Sequence, residues 1–79
     1  MIKYYEDIEY SHILLDVIDT LENSELFMMQ VWVDGTEIPF TIDDEDDIEF
    51  LKDALKISNN GKTTWILYGI IMAIRVSAL

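Results

Sequence analysis

The sequence predicts an α+β domain. It reads as a small antiparallel sheet of four to five strands with an acidic helix over residues 44–57 packed on it. Three observations predict this. Two alternating apolar runs, 26–33 and 36–42, are joined by Asp34-Gly35. An apolar stripe with acids ahead of it and lysines behind it follows, over 44–57. The tail from Lys62 to Leu79 is rich in β-branched and aromatic residues. Sheet and helix each bury one face, and the stable arrangement puts the two faces together.

The first segment, Ile8 to Glu22, fits an amphipathic helix, with Leu14, Ile18 and Leu21 aligned beside Val17 and Tyr10. Ile13, Leu15 and Val17 also alternate, so a strand remains the alternative. Glu22 and Glu25 at the negative pole, with no Gly or cation to end the helix, argue for the strand. The helix is preferred.

The Asp-Gly pair predicts a two-residue type I′ turn, which needs positive φ at both positions. Such a turn pairs Val33 with Thr36, Val31 with Ile38, Met29 with Phe40 and Phe27 with Ile42. These pairs form the core face, and Leu26, Met28 and Trp32 lie on the other. Pro39 lacks an N–H and makes its strand an edge. In the 44–57 segment, Asp43 or Asp44 caps the predicted helix and acids crowd its positive pole. Ile48, Leu51 and Leu55 form the stripe, and Ser58-Asn59-Asn60-Gly61 ends it. Thr63 to Tyr68 then reads as a strand, and Met72 to Ala78 as another. Gly69 between them is either a hairpin turn or a bulge in one bent strand; a buried C-terminal helix ranks below both. Among the aromatics, Phe27, Phe40, Phe50 and Trp65 are expected in the core, and Tyr4, Tyr5, Tyr10 and Trp32 partly exposed. The N-terminal segment is expected to cover Trp32.

The chain has 79 residues, which makes residues 1–79 one domain. Half of it, 51%, is hydrophobic, which excludes disorder. With no cysteine there is no disulfide scaffold, zinc ribbon or thiol nucleophile. The longest apolar stretch, Trp65 to Ile74, is too short for a membrane helix, which needs ~20 residues. The N-terminus is too acidic for a targeting peptide. A cytoplasmic protein is expected, in the host cell's cytoplasm if phage-encoded, with no membrane partner.

The formal net charge is −11. Residues 1–49 hold fifteen acids and one base, Lys3, and the remaining thirty residues hold one acid, Asp53, and four bases. Five scattered cations do not neutralise a phosphate track, which excludes direct nucleic-acid binding. Solubility is one use for such acidity; a partner with a basic surface is the other.

Catalytic chemistry is thin. His12 is the lone histidine, with Asp16 at i+4 as half of a relay, and no serine sits in a nucleophile motif. The run Asp43-Asp44-Glu45-Asp46-Asp47 fails as a calcium loop, because the sixth position is Ile48 and the twelfth Ala54. The three glycines are isolated, so there is no phosphate loop. The expectation is a protein that is not an enzyme and has no cofactor and no metal.

Two functional readings remain. In the first, the chain is an acidic inhibitor that takes the place of a nucleic acid on a basic partner. Asp34, Glu37, Asp43, Asp44, Glu45, Asp46, Asp47 and Glu49 supply charge, and Trp32, Met28 and Tyr10 anchor it. In the second, it is a homodimeric structural or assembly module, joined through Trp65 to Val76, whose acidity serves solubility. The mean hydropathy of +0.16 favours such a covered surface.

The stretch Val31-Trp32-Val33-Asp34-Gly35-Thr36-Glu37-Ile38-Pro39-Phe40-Thr41-Ile42, the acids 43–47 and the segment to Ile57 resemble small phage-encoded anti-CRISPR proteins. In that group a strand hairpin leads into an acidic helix, and some members act as DNA mimics at the site where a Cas nuclease reads its PAM. The resemblance covers about a third of the chain and implies a noncatalytic inhibitor with a Cas nuclease as partner, whose PAM-reading arginines acids would occupy.

Overall fold

In the computed structural model, which describes residues 1–79, the elements run β1 (Ile2–Lys3), α1 (His12–Glu22), β2 (Phe27–Val33), β3 (Phe40–Asp43), β4 (Asp47–Phe50), β5 (Ala54–Asn59), β6 (Lys62–Leu67) and β7 (Ile71–Ala78), with one 3-10 turn at Tyr68–Ile70. The strands form two sheets, ordered β1-β4-β5-β6 and β3-β2-β7. All neighbours are antiparallel except β1 and β4. The fold is α+β, as expected, but with seven strands in two sheets and one helix.

Period-2 patterning explains the layers. Along β2 burial alternates strictly, with Phe27, Met29, Val31 and Val33 inward. Ile48 and Phe50 in β4, Leu55 in β5 and Ile66 in β6 do the same for the other sheet. The two inner faces meet Val17, Ile18 and Leu21 of α1 in a single core. Thirteen of the fourteen buried residues are apolar, and Asp46 is the exception. No helix is long and apolar enough to cross a membrane.

The helix expected over 44–57 does not form. Residues 44–46 make a turn, and β4 and β5 follow as a hairpin closed by a Leu51 N–H to Ala54 C=O bond of 2.9 Å. Ile48, Leu51 and Leu55 match helical spacing, but Ile48/Phe50 and Leu55/Ile57 match alternation as well. As two short strands around Lys52-Asp53 the segment buries Ile48, Phe50, Ala54 and Leu55. Glu49 and Lys56 then face each other across the strands, with Nζ–Oε1 3.9 Å.

The turn chemistry is exchanged between two sites. Asn60 and Gly61 both take positive φ, +50° and +76°, and close the β5–β6 hairpin as a type I′ turn. At Asp34-Gly35 only Gly35 is positive, +84°. The turn still closes, Thr36 N–H to Val33 C=O 3.3 Å, but this φ pattern splays the strands. Glu37 to Pro39 leave the sheet, and pairing resumes with Val31 opposite Phe40 and Met29 opposite Ile42. The register is displaced by two residues from the expected one. An even displacement keeps every side chain on its face, so Ile42 stays in the core. Ile38, in the excursion, is 82% exposed, and Phe40 on the edge strand is exposed too.

The N-terminal helix is confirmed from His12. Ser11 caps it by accepting the Leu14 N–H at 3.2 Å, and residues 8–11 stay outside it. The tail strands are confirmed, but Gly69 lies neither in a hairpin nor in a bulge. The 3-10 turn there carries the chain from one sheet to the other, so β6 and β7 are not neighbours. A bulge does occur nearby: Trp32 pairs with Ala73 and Val33 with Ile71, leaving Met72 over.

Candidate functional site

β2 runs for seven residues, about 20 Å, and separates two poles of the molecule. One pole carries the loop after α1, the start of β2 and the acidic turn between β3 and β4. The other carries Asp34, Glu37 and Ile38.

The acidic turn is built by its own side chains. Asp43 Oδ1 accepts the Glu45 N–H at 2.9 Å, and the Asp46 N–H donates to the Asp43 C=O at 3.1 Å. Asp46 folds back: its carboxylate accepts the Asp43 N–H at 2.9 Å and the Asn59 amide at 2.5 Å. Asp46 is 8% exposed, so it organises the turn and does not present charge. Asp43, Glu45 and Asp47 are left exposed around it, with Asp44 half-buried. The Met1 ammonium lies 3.6 Å from Asp47 Oδ1 and donates to the Asp46 C=O at 3.2 Å.

Beside this turn the C-terminal pole of α1 comes to the surface. Its last carbonyls are capped by neutral donors. The Asn23 side-chain amide reaches the Asp19 C=O at 2.8 Å, and the Ser24 hydroxyl the Thr20 C=O at 2.9 Å. No base occupies the last turn. The negative pole is therefore hydrogen-bonded but not neutralised. Glu22, Glu25 and Asp44 line one shallow hollow with Met1, Ile2 and Ser24, and no Lys or Arg side chain lines it. Tyr4 belongs to this surface: the Glu22 carboxylate facing its hydroxyl raises its pKa above the ordinary phenol value, with Glu6 and Asp19 adding to the effect.

Of the residues singled out from the sequence, Asp43, Asp44, Glu45, Asp47 and Met28 gather at this pole, Met28 as the cross-strand partner of Asp43. Asp34, Glu37 and Trp32 lie at the opposite pole and form no common surface with them. Trp32 is half-buried, and what stands over it is Arg75, 5.4 Å from the ring centroid, on the neighbouring β7. Glu49 is tied to Lys56 and accepts a hydrogen bond from the Tyr5 hydroxyl. That bond, with burial second, raises the Tyr5 pKa. Tyr10 is an internal pin: its hydroxyl donates to the Phe50 C=O at 2.7 Å and accepts the Tyr5 N–H at 3.0 Å. No three His, Asp or Glu side chains converge on a common point. His12 stands exposed at the start of α1.

Glu22 and Glu25 were missing from the sequence-derived set. Their signal was present as a violation: acids at the pole of a helix where cations are favoured. Such broken local rules concentrate at functional places. Compared with known protein families, with curated proteins and with solved structures, the chain matches none.

Proposed function

We propose that the protein is a noncatalytic acidic inhibitor that occupies the basic nucleic-acid-binding surface of a partner protein. The observation that carries the reading is the excess of acid at one pole, where the only cation lining the hollow is the Met1 ammonium, paired with Asp47. A helix C-terminus, Glu22, Glu25 and Asp44 share one hollow without a Lys or Arg side chain, flanked by the exposed Asp43, Glu45 and Asp47. Charge spread evenly for solubility does not need acids from two segments remote in sequence gathered at the negative end of a helix. Concentrated there, it makes a field that steers a basic partner and presents carboxylates to its Arg and Lys side chains.

The partner's chemistry is that of a protein that reads phosphates or bases with arginines. The PAM-reading site of a Cas nuclease is one such surface. The expected helix of the anti-CRISPR comparison is replaced here by β4 and β5, so the charge is displayed by a turn and a helix end instead.

The test is a capture from bacterial lysate with tagged wild type and a Glu22→Lys, Glu25→Lys, Asp44→Lys variant side by side, washed at low and high salt. One nucleic-acid-binding protein, retained at low salt, lost at high salt and lost with the variant, is the expected result. Purified, that protein should release a duplex oligonucleotide when the wild type is added. Equal capture by the variant overturns the reading.

A further inference from the structure

The β1-β4-β5-β6 sheet ends on β6 with nothing beside it. Which backbone groups face outward follows from the ladder. Tyr68 N–H bonds to the Asp53 C=O at 3.1 Å, so the pair 53/68 is hydrogen-bonded. In an antiparallel pair such bonds alternate, which directs Ile66, Thr64 and Lys62 toward β5. The N–H and C=O groups of Thr63, Trp65 and Leu67 therefore point off the free edge. Natural edges are guarded by charge, proline, bulges or a covering element. Pro39 stands immediately before β3, which ends in Asp43. β7 carries Arg75 and the bulge at Met72, and the start of α1 shares a hollow with its Ile71 and Ile74. Between Thr63 and Leu67 β6 has none of these. Trp65 is 59% exposed on it and Leu67 56%.

We propose that a second copy of this chain covers the edge, β6 against β6 in antiparallel pairing, centred on Trp65. Only a register that places Trp65 opposite its counterpart lets every outward group bond at once: Trp65 with Trp65, Thr63 with Leu67, and Leu67 with Thr63. The two-fold axis then stands at Trp65, as a closed dimer requires. Thr63, Trp65 and Leu67 share the outer face, so the two indoles become cross-strand neighbours. The same register sets Lys62 of one copy opposite Tyr68 of the other, with Asp53 one strand further, about 10 Å between Cα atoms at ~4.8 Å per strand. An extended lysine and an aspartate span that distance, and the symmetric dimer makes the pair twice. The acids of residues 1–49 do not enter this contact, which lies in the part of the chain with a positive balance. The sheet becomes continuous, four strands from each copy.

Sedimentation and amide exchange test this at micromolar to submillimolar protein. The expected result is a species of twice the chain mass, with slow exchange at Thr63, Trp65 and Leu67. Two variants should return it to monomer with unchanged circular dichroism: Trp65→Lys, which opposes like charges at the axis, and Thr63→Pro, whose lost N–H makes no bond to β5. Lys62→Glu should weaken the dimer, and Lys62→Glu with Asp53→Lys should restore it. A wild-type monomer throughout this range overturns the proposal. So does a dimer indifferent to both edge variants. A monomer whose edge amides slow only when an extended peptide is added overturns it in favour of a foreign strand. The charge variants of the acidic pole leave β6 untouched, so failure of either reading is distinguishable from failure of the other.

Discussion

Replacing Asp46 by alanine separates the acid that builds the turn from the acids that it displays. The substitution removes an acceptor from the Asp43 N–H, 2.9 Å away, and from the Asn59 amide, 2.5 Å away. Hydrogen bonds to a charged group contribute about 1.5–3 kcal/mol each, and an orphaned buried donor costs its desolvation. Asn59 is exposed and regains water, so its bond counts at the low end. Relief of self-repulsion offsets a few tenths of a kcal/mol in so acidic a chain. The balance is a loss of about 3 kcal/mol. In a domain of this size that lowers the Tm by roughly 12–24 °C. Glu45→Ala, a few ångströms away but exposed, should stay within about 0.5 kcal/mol of wild type. Urea unfolding followed by circular dichroism reads both. Asn59→Ala should cost less than half as much as Asp46→Ala, and the double variant should be less than additive. If Asp46→Ala and Glu45→Ala unfold at the same urea concentration, the turn is not held by Asp46 and its assignment as structural is wrong.

Three further outcomes are expected. Gly61→Ala should destabilise by about 1–2 kcal/mol, from positive φ alone since a Cβ there meets nothing, whereas Gly69→Ala should cost nothing; thermal melts compare them. Phe50→Ala should cost about 3–5 kcal/mol by emptying the core, while Trp65→Ala at matched monomer concentration should cost under about 1 kcal/mol. Stability should fall as pH rises above about 10, because the folded state holds phenol protons that the unfolded chain releases. The Glu22 carboxylate raises Tyr4, the hydrogen bond to Glu49 raises Tyr5, and burial raises Tyr68. The contribution is full below the ordinary phenol pKa and lost as pH passes the raised values, so urea midpoints from pH 9 to 12 should decline. Tyr5→Phe should flatten that decline.

Where the sequence misleads, the reason is local ambiguity. Ile48, Leu51 and Leu55 satisfy two periodicities at once, and acids ahead of lysines reinforce the wrong one. Once residues 44–57 are read as helix, Asn60-Gly61 looks like a helix end, although that dipeptide is the stronger of the two hairpin signals in the chain. β2 is legible because seven residues alternate without interruption and no helical pattern competes. Exposure at Trp65 and Phe40 was not legible: it depends on which strands end up at sheet edges, and topology is not written in any one segment. The charge was legible as an amount but not as a place. Asp34 and Glu37 are near Asp43 in sequence, and a strand's length separates them in space. Glu22 is remote in sequence and shares a hollow with Asp44.

The pairing of β2 bears on how the chain reaches this state. Its neighbours are β3, which follows closely, and β7, whose Ala78 meets Phe27 about fifty residues later. β1 likewise waits for β4, Ile2 meeting Ile48. Neither sheet can be completed by a local event, and the strand most deeply embedded in the core is among the first synthesised and the last enclosed. Such non-local closure slows folding and leaves Phe27, Met29 and Val31 open to wrong partners meanwhile. A chain so rich in like charge keeps its own copies apart through that interval. The acidity then serves the nascent chain before it serves the folded one.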